Sequence, residues 1–271
     1  MKITSAANPH IKDLVKLRRS HHRKARDRFI IENARCIERA MDAGVRIVQV
    51  FVCPDLLTDP QARRVAGRLE ASGTACYEVP EPVFAKAAYR QRPEGLLVVA
   101  ERPSHTLNDL PAADRPLYVL AESLEKPGNL GAILRSADAV GAAGLILCDR
   151  HTDVYNPNAV TASTGTVFTV PIAEATTDEA LAWLAARGAA VLATVCEGGR
   201  PYTDVDLTAP VAIALGTEHE GLSDAVQRAA SEKITIPMAG TADSLNVAAA
   251  ATVVLFEAAR QRRERGRGGC A

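Results

Sequence analysis

The stretch Pro127-Gly128-Asn129-Leu130-Gly131-Ala132-Ile133-Leu134-Arg135-Ser136-Ala137 decides how the C-terminal half of this chain is read. Gly128 permits a free turn, and Asn129 offers a side-chain oxygen to a helix N-terminus. Leu130, Ile133, Leu134 and Ala137 recur at helical spacing and leave Arg135 well off that apolar stripe. Alone, this pattern also fits a capped helix with a solvated arginine. Two later stretches share its grammar. Leu215-Gly216-Thr217-Glu218-His219-Glu220-Gly221-Leu222-Ser223 follows an apolar strand run, and Ile236-Pro237-Met238 leads to Ser244-Leu245-Asn246-Val247 at the head of a long apolar helix. Turns at strand ends are where α/β proteins build ligand sites. The second stretch lacks Lys-Ser/Thr after its second glycine, so it is not a phosphate loop, and no strand is followed by Gly-x-Gly-x-x-Gly.

The rest of the C-terminal half fits around these turns. Apolar runs at 117–121, 144–148, 191–196, 211–215 and 234–236 read as strands, with 168–170 as a sixth. Most are continuously apolar, which predicts a parallel sheet covered on both faces. Helices are predicted at 130–140, 177–187, 223–230 and 244–261. In the last of these, Leu245, Ala248, Ala249, Val253 and Phe256 form one apolar face, while Ala250, Ala251, Val254 and Leu255 make the other sides apolar. A terminal helix that is apolar all round calls for a second subunit to cover it.

The N-terminal part alternates helices (9–19, 34–43, 61–69, from 81) with strands (29–31, 47–52, 75–79, 95–100), a small α/β/α sandwich. Prolines 103, 111 and 116 mark a joint. The expected organisation is a domain at 1–101, a linker at 102–116 and a second domain at 117–271, comfortable for 271 residues.

Net charge is zero, so the chain is no general polyanion binder. Positive charge gathers at the ends: nine Lys/Arg run from Lys2 to Arg28 against Asp13 and Asp27, and five arginines run from Arg260 to Arg267 against Glu264. These fit local phosphate contact, or a solvated helix face and a frayed tail. The six cysteines are scattered without zinc spacing, and no run of about 18 apolar residues occurs. A cytoplasmic protein without membrane span or metal is expected.

Taken in order, the three C-terminal stretches resemble the signature motifs of the SpoU–TrmH family, RNA ribose 2′-O-methyltransferases of the SPOUT superfamily. Phe29-Ile30-Ile31-Glu32-Asn33-Ala34-Arg35 and the segment ending Pro93-Glu94-Gly95-Leu96-Leu97 resemble the family's substrate-binding domain. Asp153-Val154-Tyr155-Asn156-Pro157 through Thr166, with Ile-Pro-Met-Ala-Gly, is similar to the avilamycin-resistance rRNA methyltransferase subgroup. Two departures stand out: Thr217 where the family has Asn, and Lys126 where it often has Asp.

The resemblance implies a C-terminal SPOUT methyltransferase domain, its parallel sheet closed by a deep trefoil knot, and an N-terminal L30e-like RNA-binding domain. It implies S-adenosylmethionine as cofactor, held by Thr194, Val195, Leu215, Gly216, Ile236, Met238 and Leu245. It implies Asn129, Arg135, Glu218, Ser244 and Asn246 as catalytic residues, and a homodimer with its site at the interface. Arg18, Arg19, Arg23, Lys24 and Arg28 of the basic stretch, with Arg90, are the candidate RNA contacts. Ribosomal RNA is the first expectation for substrate and transfer RNA the alternative; a non-catalytic RNA- or ribosome-binding homologue is the rival reading.

Overall fold

The structure is a computed structural model that describes residues 1–150, 152–217 and 220–268. The chain forms two compact units. The first comprises Met1–Ser104 together with Asp153–Thr169, and the second comprises His105–Thr152 with the remainder.

The first unit carries α1 (Pro9–Lys16), α2 (Ser20–Arg26), β1 (Arg28–Ile31), α3 (Ala34–Asp42), β2 (Ile47–Val52), α4 (Pro60–Ala71), β3 (Ala75–Glu78), α5 (Glu81–Ala87) and β4 (Leu96–Glu101). Its sheet runs β1-β4-β2-β3, antiparallel except for the parallel pair β2–β3. Ile11, Leu14, Phe51, Phe84, Leu97 and Val99 fill one core. Phe29 of β1 stacks on Tyr155 at 4.1 Å between ring centroids, which anchors the 153–169 segment to this unit.

Two expectations are corrected here. The helix predicted over 9–19 stops at Lys16, where the chain turns through Leu17–Arg19, and a separate helix, α2, follows and ends in a left-handed Asp27 at φ 51°. Residues 168–170 are not a strand: Thr166–Phe168 is a single 3-10 turn, and Phe168 lies 6.0 Å from Phe29. A short apolar run does not reveal its own geometry, and here the aromatic ring is drawn into packing.

The second unit holds β5 (Leu117–Glu122), α6 (Pro127–Val140) and β6 (Gly144–Cys148). After α7 (Pro157–Ala162), which belongs to the first unit, come β7 (Ile172–Ala175), α8 (Thr177–Ala186), β8 (Ala190–Thr194), β9 (Arg200–Pro201), β10 (Val211–Leu215), α9 (Asp224–Ala229), β11 (Glu232–Thr235) and α10 (Val247–Gly268). The seven strands pair in the order β7-β6-β5-β10-β8-β11-β9, and every pairing is parallel. That order is consistent with the knotted path the resemblance implies. β5, β6 and β10 are buried along their whole length, as their unbroken apolar runs require. Tyr118, Leu120, Ile146, Ala214 and Leu184 build the core on one face. On α6 and α10, which pack together, Ser136 Oγ and Thr252 Oγ1 share a 2.7 Å hydrogen bond.

Both signature helices start differently from the sequence reading. Pro127 occupies the first turn of α6, where a missing N–H costs nothing, so Asn129 is not the cap. The helix predicted over 244–261 starts at Val247 and runs to Gly268; Asn246, not Ser244, accepts from its first turn through Ala248 N at 3.1 Å. Arg262 on its last turns donates to the carbonyls of Leu207 and Ala209, at 2.9 and 2.7 Å, so this part of the basic tail is structural. Among the described residues no helix is long and apolar enough to cross a membrane.

Candidate active site

Three neighbouring strands, β10, β8 and β11, end at one cavity of about 430 Å3. Thr194 closes β8, Leu215 closes β10, and Ile236 follows β11 by one residue. Thr194, Val195, Leu215, Gly216, Ile236, Met238 and Leu245 all line it, as do Ser244 and Asn246. Parallel sheets place ligands at the carboxyl ends of their strands, and this size suits a small organic molecule. Thr194 Oγ1 donates to Ala214 O at 2.7 Å and ties two of the strand ends together.

The loop after β10 doubles back at once. Thr217 N donates to Gly221 O at 3.0 Å, and Glu220 N donates to Thr217 Oγ1 at 2.8 Å. A Cβ on Gly216 would stand 2.2 Å from the carbonyl carbon and oxygen of Gly221 and 2.5 Å from Leu222 N. All three are backbone atoms that cannot yield, so only glycine fits. Thr217, the departure from the family pattern, supplies the oxygen that closes this loop. Glu218, expected to be catalytic, lies outside the described residues.

The far end of the loop is fixed by Glu122, a carboxylate only 4% exposed at the end of β5. It accepts from Ser223 N and Ser223 Oγ, each at 2.7 Å, and Thr177 Oγ1 lies 2.8 Å away. Sequence reasoning passed over Glu122; the available signal was an acidic residue ending a continuous apolar strand. It also passed over Cys196, Glu220 and Asp243, which stand on the cavity wall.

Asn129 sits beside this site: Asn246 Nδ2 donates to Asn129 Oδ1 at 3.3 Å, joining the first motif to the third. Arg135 does not line the cavity. It is exposed on α6, and among the described residues it has no recorded hydrogen bond or ion pair. The cavity therefore gathers residues of the second and third motifs, with Asn129 at its edge and Arg135 presented to solvent.

Within the first unit the six expected RNA contacts divide. Arg19 and Lys24 are exposed, and Arg28 is half-buried. Arg90 pairs with Glu94 at 2.5 Å. Arg18 turns inward and donates to Lys86 O at 2.6 Å and to Ala88 O. Arg23 differs most from its expectation: it is 1% exposed, pairs with Asp153 at 2.7 Å, and donates to Leu17 O and Arg18 O at 2.9 and 2.8 Å. Its guanidinium is engaged inside the protein through Nε and Nη1, because the inserted 153–169 segment brings a buried carboxylate to it. Burial would raise the Asp153 pKa, but the charge and hydrogen bond of Arg23 and the Tyr155 N–H together hold it below the ordinary carboxylate range. Burial pushes the thiols the other way, Cys148 to about 12 and Cys36 to about 11. Among the described residues no His/Cys/Asp/Glu group is arranged to hold a metal ion.

Comparison with known proteins places this geometry. Residues 116–256 match the model of the SpoU rRNA methylase family, and residues 8–98 match an MRM3-like substrate-binding domain. The chain is 40% identical over 178 residues to a 23S rRNA (uridine(2479)-2′-O)-methyltransferase of Streptomyces viridochromogenes. That alignment covers 64% of this chain and 62% of the relative, a little under two thirds of its length. A crystal structure of an RNA 2′-O ribose methyltransferase superposes with a TM-score of 0.86 at 42% identity, covering 97% of this chain and all of the other. The SpoU methyltransferase AviRb from S. viridochromogenes, in complex with the cofactor AdoMet, superposes with a TM-score of 0.86 at 31% identity over 95% of this chain and 100% of that one. The chain belongs to the SpoU rRNA methylase family.

Proposed function

We propose that this chain is an S-adenosylmethionine-dependent RNA methyltransferase that moves a methyl group to a ribose 2′-hydroxyl of 23S ribosomal RNA. One observation carries the reading: seven residues from separate turns line a single cavity at the ends of three parallel strands. Its donors fit the cofactor. Leu215, Ile236, Met238 and Leu245 offer apolar contact to an adenine ring, and Gly216 lets backbone approach it. Glu220 and Asp243 offer acceptors to an ammonium group and to ribose hydroxyls. When bound, the cofactor supplies an electrophilic methyl on a sulfonium.

The remaining work falls to the protein. A neutral hydroxyl is a poor nucleophile, and holding it in line with the methyl is worth about 7–11 kcal/mol. Asn129, Ser244, Asn246 and Glu218 orient the ribose and its partner. Arg135 stabilises the forming alkoxide and grips an adjacent phosphate; a guanidinium holds its proton too tightly to be a ready base.

Arg135 reaches the reaction in a homodimer. On α10, Phe256 is 47% exposed, Ala249 is exposed and Val253 is half covered, and Leu245 just before the helix is exposed too, so an apolar face remains open for a second copy. Since Arg135 lines no part of its own chain's cavity, each site would combine one chain's cavity with the other's arginine. Mixing Arg135→Ala chains with Gly216→Val chains should then restore activity that neither has alone, whereas a site built within one chain gives no restoration.

The substrate reading is tested by incubating 23S rRNA and transfer RNA with labelled cofactor and mapping the product by alkaline hydrolysis. Methylation removes the 2′-hydroxyl that cleaves the backbone, so a gap in the ladder marks the nucleotide. A gap in 23S rRNA is expected; one confined to transfer RNA would replace the substrate, and label on a base would refute the reaction. A ribosomal substrate places the enzyme in the cytoplasm.

A further inference from the structure

The segment from Lys86 to Glu94, between α5 and β4, has no regular structure beyond the end of α5, yet charged groups hold it on both sides. Arg18 donates to the carbonyls of Lys86, at 2.6 Å, and of Ala88. Glu32, 8% exposed, accepts from Arg90 N at 2.9 Å and from Tyr89 N. Glu94 accepts from Asn33 Nδ2 at 3.2 Å and Ala34 N at 3.4 Å. Burying a carboxylate is costly, and here burial raises the pKa of Glu32 despite the two backbone N–H groups. Such an arrangement fixes the loop backbone more firmly than a solvent loop needs.

The loop presents Tyr89. The residue is 39% exposed, and its hydroxyl accepts from Asn158 Nδ2 at 3.0 Å. The side chain is thus pinned at both ends. No other described ring stacks on it, and no described cation lies over it. Lys86 and Arg92, three residues either side, are exposed and have no ion pair among the described residues. An aromatic face held rigid beside uncommitted cations suits an unpaired nucleobase and its flanking phosphates, because stacking needs a fixed ring and gains from pre-organisation.

We propose that Tyr89 is a stacking platform for an unpaired base of the substrate RNA, with Lys86 and Arg92 meeting the adjacent phosphates, and that Glu32 and Arg18 are positioning residues that hold it in place. The proposal rests on reading this unit as the RNA-binding part of the enzyme. Duplex RNA offers no free base face, so the platform selects single-stranded loops or bulges.

The test uses the full chain with a short labelled single-stranded RNA and a duplex of the same length. Tyr89→Ala should weaken single-strand binding by roughly ten- to a hundredfold, with duplex binding and S-adenosylmethionine affinity unchanged. Tyr89→Phe, which keeps the ring, should stay within about twofold of wild type. Glu32→Gln should raise KM for RNA in methyl transfer while kcat holds. Wild-type single-strand affinity in Tyr89→Ala overturns the inference. So does an equal loss on duplex and single strand, and so does a wild-type chain that shows no preference for single strands. A wild-type chain that binds the RNA but no S-adenosylmethionine instead overturns the enzyme reading and leaves the platform standing.

Discussion

The basic stretch at the N-terminus and the strand ends of the parallel sheet make opposite use of their polar residues. Between Lys2 and Arg28 the sequence offers many cations of similar appearance, and the fold treats them differently. Arg19 and Lys24 stay in solvent, Arg18 holds a loop by its carbonyls, and Arg23 is buried against Asp153. At the strand ends, residues from 194, 215–216, 236–238 and 245 converge on one cavity. The difference lies in what determines position. A parallel sheet carries every strand's carboxyl end to the same edge, so a residue's place in the motif fixes its place in space. A cation on a short helix is placed by whatever packs against it, and here that partner comes from a segment more than a hundred residues away.

Substitutions can break this contrast, beginning with the largest effect. Gly216→Val sets a side chain into the backbone of Gly221 and Leu222, so S-adenosylmethionine binding should be lost outright in calorimetric titration. Retained affinity would mean that the loop is not built as described. Arg23→Ala leaves Asp153 buried without its cation and should cost about 3–5 kcal/mol in denaturant unfolding. Arg19→Ala and Lys24→Ala should stay within about 0.5 kcal/mol of wild type. Equal effects from all three would erase the distinction between buried and solvated cations.

Acid sharpens the same point. The Asp153 carboxyl titrates below its unfolded value, so its stabilisation is complete above that value and disappears as pH falls through the lower, folded one. The stability gap between wild type and Asp153→Asn should be full at neutral pH and shrink once pH drops below about 4. A gap that held constant into acid would remove the ion pair from the explanation. The smallest effects concern the exposed cations. Each that meets a phosphate should lower the salt dependence of RNA binding, by about 0.7–0.9 in slope, when changed to Ala. Exposed Cys196 gives a separate check: it stands on the cavity wall, so S-adenosylmethionine should protect it from alkylation, while buried Cys36 and Cys148 stay unreactive with or without cofactor.

Much of the fold was legible because continuous apolar runs and glycine turns are local signals. Runs such as 117–121, 144–148 and 211–215 are strands almost to the residue. The 168–170 run misled because Phe168 packs on Phe29, a contact no local window contains. The helix expected at 9–19 stops at Lys16, and Arg18 beyond it meets the carbonyls of Lys86 and Ala88 at the end of α5, again a tertiary contact. In the site, the cavity residues could be named since the motifs sit at strand ends; Glu122 also ends an apolar run, but its role comes from Ser223, 101 residues away. Arg23 looked like its basic neighbours because nothing local marks it for burial. Arg135 could be named from its motif, but its exposed place on α6, off the cavity wall, is set by packing that no sequence window records.

Single-turnover methyl transfer to 23S rRNA by Arg135→Ala, with S-adenosylmethionine affinity measured on the same preparation, tests the central claim most directly. The account predicts a rate lowered by about 10²–10³-fold with cofactor affinity unchanged, the loss expected when a donor that stabilises the forming alkoxide is removed. Transfer near the wild-type rate would contradict it.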